Sequence, residues 1–439
     1  MGLTDIITSK LKLKKDREKF SNLMNVMKLT GFYLIDDKKI KNGHVLIIGT
    51  PPTSNFEEFE KKKSSLESYF GALIKIEKIR FTSNICMKVI TRDIGKYDFD
   101  VVPTTANKLY IAKEFDFTDV FVDLDKEGHI LIAGQSGTGK TFLLAAILAN
   151  LIATNSKYIE LNLAQIQKGE IGAFANCHCV KSVNYTLQET LVNLEKIVKK
   201  LDERSKLFTQ LGIRHLTHYI KKTGKAMKRI FFVIEEVSFF IVSESDSDEV
   251  KELKNKIWAL ILTIAKAGRS AGIHFIAVTQ RSTVANIGSE VKAQMCCITT
   301  QQRSELDSRN IIEVGDAKDL KEFECMMWGR NGLLMLKMPY IDEDFKALQK
   351  FVPEIISFKE TEVENKPAKE VKKESKVETL YWLDMPIDEY NRIMSRKKTI
   401  EQTVEVVEPV VDETPTEEPK KKKRGPGRPK KIKVGAEIE

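Results

Sequence analysis

Eight consecutive residues, Gly134-Gln135-Ser136-Gly137-Thr138-Gly139-Lys140-Thr141, fit the pattern G-x-x-x-x-G-K-[ST]. Glycines let a backbone curl until successive N–H groups point at phosphate oxygens, and a following helix adds the positive end of its dipole. At this spacing Lys140 is expected to reach the β- and γ-phosphates of ATP, and the Thr141 hydroxyl to ligate Mg²⁺. A second group, Arg229-Ile230-Phe231-Phe232-Val233-Ile234-Glu235-Glu236, places two carboxylates where a buried apolar strand emerges. The first acid, Glu235, is expected to act on Mg²⁺ or its water shell, and the second, Glu236, to position and deprotonate an attacking water. Aspartate is the usual first acid, so Glu235 is one methylene longer than the pattern. Gln280 ends a further apolar strand, where it can sense the γ-phosphate. The competing readings are a glycine-rich turn, a solvated glutamate pair and a surface glutamine.

These residues need a sheet whose strands end together, and the pattern from about 116 to 350 alternates strand and helix. His129 to Ala133, Tyr158 to Leu163, Ile230 to Ile234, His274 to Thr279, Met295 to Thr300 and Gly332 to Met338 read as strands. Between them, Leu187 to Leu211 and Val250 to Ala267 carry apolar residues at helical spacing. The expectation is an α/β motor domain with a mostly parallel sheet covered on both faces. Residues 1–115 alternate short apolar runs with a charged helical stretch and predict a small α/β module without readable chemistry. Residues 351–419 are rich in Lys, Glu, Asp, Pro and Thr and predict a disordered polar and acidic linker.

Of the 439 residues, 42% are hydrophobic and 30% charged, as in soluble globular proteins, and no apolar run is long enough for a membrane helix. The N-terminus lacks an apolar signal core, and six scattered cysteines suit reduced thiols; the expected location is the cytoplasm. The formal charge of +9 has a single source: residues 420–433 hold nine basic residues and no acid. Without them, basic and acidic residues balance at 62 each, so the body is neutral and the tail meets a polyanion. Around Gly427-Arg428-Pro429, with Arg424, Lys430 and Lys431 alongside, the tail resembles an AT-hook that enters the minor groove of A·T-rich DNA. Pro426 interrupts the tighter form, and a solvated polycation binding through phosphates is the other reading.

Lys266-Ala267-Gly268-Arg269-Ser270-Ala271-Gly272-Ile273-His274, running into Val278-Thr279-Gln280-Arg281-Ser282, closely resembles the core of the FtsK/SpoIIIE family of double-stranded DNA translocases. Asp307-Ser308-Arg309, Arg204-Ser205-Lys206-Leu207 and Leu211-Gly212-Ile213-Arg214 add matches in the family's order. The resemblance implies a RecA-like P-loop motor that assembles as a ring, expected to be a hexamer, around duplex DNA with ATP between subunits. It makes Arg269 and Arg309 candidates for contacting phosphate, one of them from a neighbouring subunit. Where the family often has D-P-K after its second core strand, this chain reads Leu161-Asn162-Leu163-Ala164-Gln165-Ile166. Without a membrane-spanning N-terminal region or a winged-helix pattern after 352, the expected role is DNA transfer or segregation by a short relative from a mobile element, with a relaxase as a candidate partner. Two other functions fit the same residues: a conjugative coupling ATPase or HerA-like helicase preferring single strands, and a nucleotide-gated DNA tether that transports nothing.

Overall fold

The computed structural model describes residues 17–167, 169–280, 289–330 and 332–357, and the backbone of two short strands, Thr379–Leu380 and Met385–Pro386, which pair antiparallel. The linker and the basic tail with Arg424, Arg428, Lys430 and Lys431 otherwise lie outside the described residues, as does Arg281. By contacts the chain divides into residues 1–361 and 362–439, and the first of these units carries every other described element.

Residues 17–26 form α1. Strands β1 (Tyr33–Ile40), β2 (Gly43–Gly49), β3 (Leu73–Lys78) and β4 (Ile85–Ile90) then build an antiparallel sheet in the order β1-β2-β4-β3. Between β2 and β3 lie α2 (Phe56–Glu60) and α3 (Lys63–Phe70). This module has its own core, centred on Met24, Ile48, Phe59, Leu66 and Met87. Lys75 and Lys88 tie it to the larger sheet through ion pairs with Glu114 and Asp116. Strand β1 escaped the sequence reading because Asp36, Asp37, Lys38 and Lys39 interrupt its apolar alternation.

The larger sheet has ten strands. It opens with β5 (Lys108–Glu114) and β6 (Asp119–Asp123), so it begins ahead of residue 116. Then come β7 (His129–Ala133), α4 (Lys140–Asn155), β8 (Ile159–Ala164), β9 (Val180–Asn184), α5 (Leu187–Leu211), α6 (Leu216–Thr223) and β10 (Arg229–Ile234). The remainder is α7 (Asp248–Ala271), β11 (Ile273–Thr279), α8 (Ser289–Lys292), β12 (Met295–Thr299), α9 (Glu305–Ile312), β13 (Glu324–Gly329), β14 (Gly332–Lys337) and α10 (Lys346–Gln349). The order is β6-β5-β14-β13-β12-β7-β11-β10-β8-β9. The six strands from β12 to β9 are parallel, and the other four extend the sheet antiparallel.

Alternation along each central strand divides the core. Ile130 and Ile132 of β7 face the apolar helix α4 and share one cluster with Leu161, Phe231 and Ile276. Leu131 and Ala133 face the other way, packing with Phe232, Phe275 and the apolar stripes of α5 and α7. Burial on both faces explains why β7, β10 and β11 read as continuous apolar runs. Helix α5 starts at a capping box in which Thr186 Oγ1 accepts from the Glu189 N–H and the Glu189 carboxylate accepts from the Thr186 N–H.

Candidate nucleotide-binding site

The loop 134–139 joins β7 to α4, with Gly134, Gly137 and Gly139 at φ of 155°, 78° and 88°, where side chains are disfavoured. The end of β12 braces the loop from behind. Thr138 Oγ1 donates to the Gln135 carbonyl at 2.7 Å and lies 2.6 Å from Thr300 Oγ1. The Gln135 N–H donates to the Gln301 carbonyl at 3.0 Å. A Cβ at Gly134 would lie 1.9 Å from Thr300 Oγ1, so only glycine lets the loop approach β12 so closely.

In front of the loop is a cleft of about 430 Å³, at the C-terminal ends of the parallel strands where open α/β sheets bind ligands. Ser136, Gly137, Gly139, Lys140 and Thr141 form one wall, and Glu235, Glu236 and Gln280 face them. The structure thus brings together the loop, the carboxylate pair and the glutamine that the sequence singled out. Lys140 is buried, and its ammonium donates to the Gln135 carbonyl. Burial lowers its pKa to about 8, against the attraction of Glu236. Glu236 is oriented by two backbone amides: Oε1 accepts from the Ser238 N–H at 3.1 Å and Oε2 from the Gln280 N–H at 3.2 Å. Its fixed carboxylate can accept a proton from a water in the cleft.

Mg²⁺ is the metal that such a site implies, and Thr141 fits it with a hydroxyl on the cleft wall. Glu235 fits less well, because Oε1 accepts from the Glu170 N–H at 2.7 Å and Oε2 from the Ile171 N–H at 3.1 Å. Burial raises its pKa and Glu236 raises it further, while the two amides pull it down. Among the described residues no three His, Cys, Asp or Glu side chains cluster as a metal site.

The arginines lie elsewhere. Arg309, on the last turn of α9, is 63% exposed and pairs loosely with Glu305 at 3.7 Å. Arg269, on the last turn of α7, lies at the N-terminal end of the parallel strands, where Nη1 donates to the Lys126 carbonyl at 3.0 Å. The seven residues of β11 separate it from Gln280, roughly 23 Å of strand. Arg204 donates to the Ala271 and Lys228 carbonyls, both at 2.8 Å.

Sequence reasoning passed over Gln165, Glu170 and Phe239, all of which line the cleft. Gln165 had a usable signal, since it follows β8 directly and so stands at the C-terminal end of a parallel strand. A second cavity of about 250 Å³ opens on the other side of Gly137–Gly139, lined by Phe142, Phe323, Met338, Tyr340 and Ile341. No local motif marks it, because Phe142 comes from α4 while Phe323 and Tyr340 flank the paired start of β13 and end of β14.

Loop, helix dipole and paired strand-end acids on a parallel sheet define a P-loop ATPase fold. Residues 104–261 match the model of the FtsK/SpoIIIE family. The match ends ahead of Arg269, Gln280 and Arg309. The DNA translocase FtsK of Listeria monocytogenes is 26% identical over 238 residues, 52% of this chain and 30% of the relative. The DNA translocase SftA of Bacillus subtilis is 27% identical over 222 residues, 48% of this chain and 22% of the relative. The chain therefore spans a third or less of these relatives' length. In fold it is similar to the pCW3 conjugation coupling protein TcpA in its monomer form with ATPγS, with a TM-score of 0.55 at 18% identity over 77% of this chain and 99% of that one. Among the described residues no helix is long and apolar enough to cross a membrane.

Proposed function

We propose that this chain is an ATPase that drives double-stranded DNA through a ring of identical subunits, for DNA transfer or segregation. The observation carrying the reading is the convergence of Lys140, Glu236 and Gln280 on one cleft in a chain whose residues 104–261 match the FtsK/SpoIIIE family model. Lys140 and the loop amides hold the β- and γ-phosphates, while Glu236, fixed by the Ser238 and Gln280 amides, takes the proton of the attacking water. Mg²⁺ held at Thr141 would neutralise charge on the phosphates. The purine occupies the 250 Å³ cavity beside Phe142, Phe323 and Tyr340. The exposure of Arg309 supports a role across a subunit boundary, where an arginine finger contributes about 10³ to 10⁵ in rate. The basic tail, with Arg428 at its centre, is a second contact to DNA.

The test is ATP turnover by the full chain, alone and with linear duplex, single-stranded DNA or RNA, with Lys140→Ala as control. Duplex stimulation that vanishes in the control supports the DNA pump. Preference for single strands moves the reading to a coupling ATPase or helicase, and unchanged function in Glu236→Gln moves it to a nucleotide-gated tether. For the purine cavity, Tyr340→Ala is expected to weaken ATP binding and leave tripolyphosphate binding unchanged.

A further inference from the structure

Residues 165–167, 169 and 170 form the wall of the phosphate cleft opposite the glycine loop. Its far end is rooted in the core: Ile171, Ala173 and Phe174 are buried, and the Ile356 N–H donates to the Ala173 carbonyl at 2.8 Å. Its near end is fixed by two side chains. Gln165 Nε2 donates to the Gly169 carbonyl at 3.1 Å, and Gln165 Oε1 accepts from the Gly172 N–H at 2.7 Å. Glu235 reaches across from the end of β10 and takes the Glu170 and Ile171 N–H groups, one on each oxygen. A Cβ at position 169 would lie 2.1 Å from Glu235 Oε2, so the carboxylate lies directly against a glycine backbone. Both straps stand where this chain departs from the family pattern: Gln165 after the second core strand, and Glu for the usual Asp at 235.

Resting on the reading of the cleft as an ATP site, we propose that Glu235 is a positioning residue that fixes loop 165–171 as a wall of the nucleotide cleft, in place of ordering the water shell of Mg²⁺. The extra methylene is the determinant. Aspartate would withdraw the carboxylate by roughly one C–C bond length, about 1.5 Å, beyond hydrogen-bond reach of both amides. Gln165 is the second strap on the same loop, so its loss has the same consequence.

The experiment uses the full chain and the variants Glu235→Asp, Glu235→Gln and Gln165→Ala, after confirming that their melting temperatures stay near the wild type. Three quantities are read: the rate of tryptic cleavage after Lys168 within the loop, ATPγS affinity, and the Mg²⁺ concentration that half-saturates nucleotide binding. Glu235→Asp and Gln165→Ala are expected to speed cleavage after Lys168 and weaken ATPγS binding, each about tenfold, at an unchanged Mg²⁺ requirement. Glu235→Gln keeps the length and one acceptor oxygen and falls between. Wild-type cleavage in Glu235→Asp, together with a shifted Mg²⁺ requirement, overturns the proposal and returns Glu235 to the metal. If the wild type binds no nucleotide, the ATP-site reading fails, while the cleavage rates still decide whether Glu235 straps the loop.

Discussion

At the N-terminal end of the parallel strands, the buried guanidinium of Arg229 is held on both nitrogens. Nη2 donates to Asp125 Oδ1 at 2.6 Å and to Thr217 Oγ1 at 2.8 Å, and Nη1 lies 2.9 Å from His274 Nε2. His274 in turn donates from Nδ1 to the Gly128 carbonyl at 2.7 Å, so its ring is neutral and spans two strands. At the C-terminal end Lys140 is just as buried, yet among the described residues its ammonium meets the carbonyl of its own loop and the field of Glu236. The first end is a closed hydrogen-bond network that joins β7, β10 and β11. The second keeps donors and acceptors turned into an open cleft. Closed networks contribute to one fold, whereas a cation with unused donors is prepared for an anion. Arg269 and His274 of the family-like box belong to the closed end, and Gln280, from the same stretch of chain, belongs to the open one.

Variants at the two ends should therefore separate activity from stability. Lys140→Ala or Glu236→Gln should lower ATP turnover by about 10³ or more, equivalent to about 4 kcal/mol of barrier, with little change in urea midpoint. Asp125→Ala should do the reverse, because it leaves Arg229 buried without its carboxylate. A loss of about 3 kcal/mol in urea unfolding is expected, with ATPγS affinity of the folded fraction near the wild type.

Acid should loosen the closed end first. Burial pushes His129 down to about 4, against 6.5 for the free side chain. The unfolded chain therefore takes up the proton first as pH falls, and stability present above pH 6.5 is lost progressively towards pH 4. About 2 kcal/mol should be gone by pH 5, and His129→Gln should flatten that slope in urea titrations between pH 7 and 5. Asp125 has its pKa lowered despite its burial, through Thr217 and Arg229, so it stays charged across this range. Alkali should act on the open end. With Lys140 near 8 in the free protein, a bound phosphate raises it, so binding takes up a proton above that pH. ATPγS affinity is expected to fall up to about tenfold per pH unit beyond 8, or about 1.4 kcal/mol. Calorimetry in two buffers of different ionisation enthalpy checks it, and Lys140→Ala should abolish the pH dependence.

The phosphate loop, the carboxylate pair and Gln280 were legible because each is a contiguous pattern that must follow a buried strand. Helices α5 and α7 were legible from their apolar stripes. Strands β5, β6, β9 and β13 were not, since no motif accompanies them. The antiparallel extension joins two hairpins, β5-β6 and β13-β14, by pairing Leu336 with Glu114 and Lys337 with Lys113, a long-range contact that leaves no local signal. The RecA-like resemblance carried the class of fold but not the use of Gln165, which the family pattern does not contain.

By itself the sequence determined that a nucleotide-binding loop, a strand ending in two acids and a polar strand end occur in one α/β unit. Those features are local, set by glycine φ, strand burial and helix capping over a few residues. Only the tertiary structure decided which side chains share an end of the sheet. It put Arg269 and His274 at the opposite end of the strands from the cleft and made a second cavity beside Phe142, Phe323 and Tyr340. It also turned Glu235 onto the amides of residues 170 and 171. Such outcomes depend on strand pairing between segments more than 60 residues apart, where one methylene of reach decides which acceptor meets which donor.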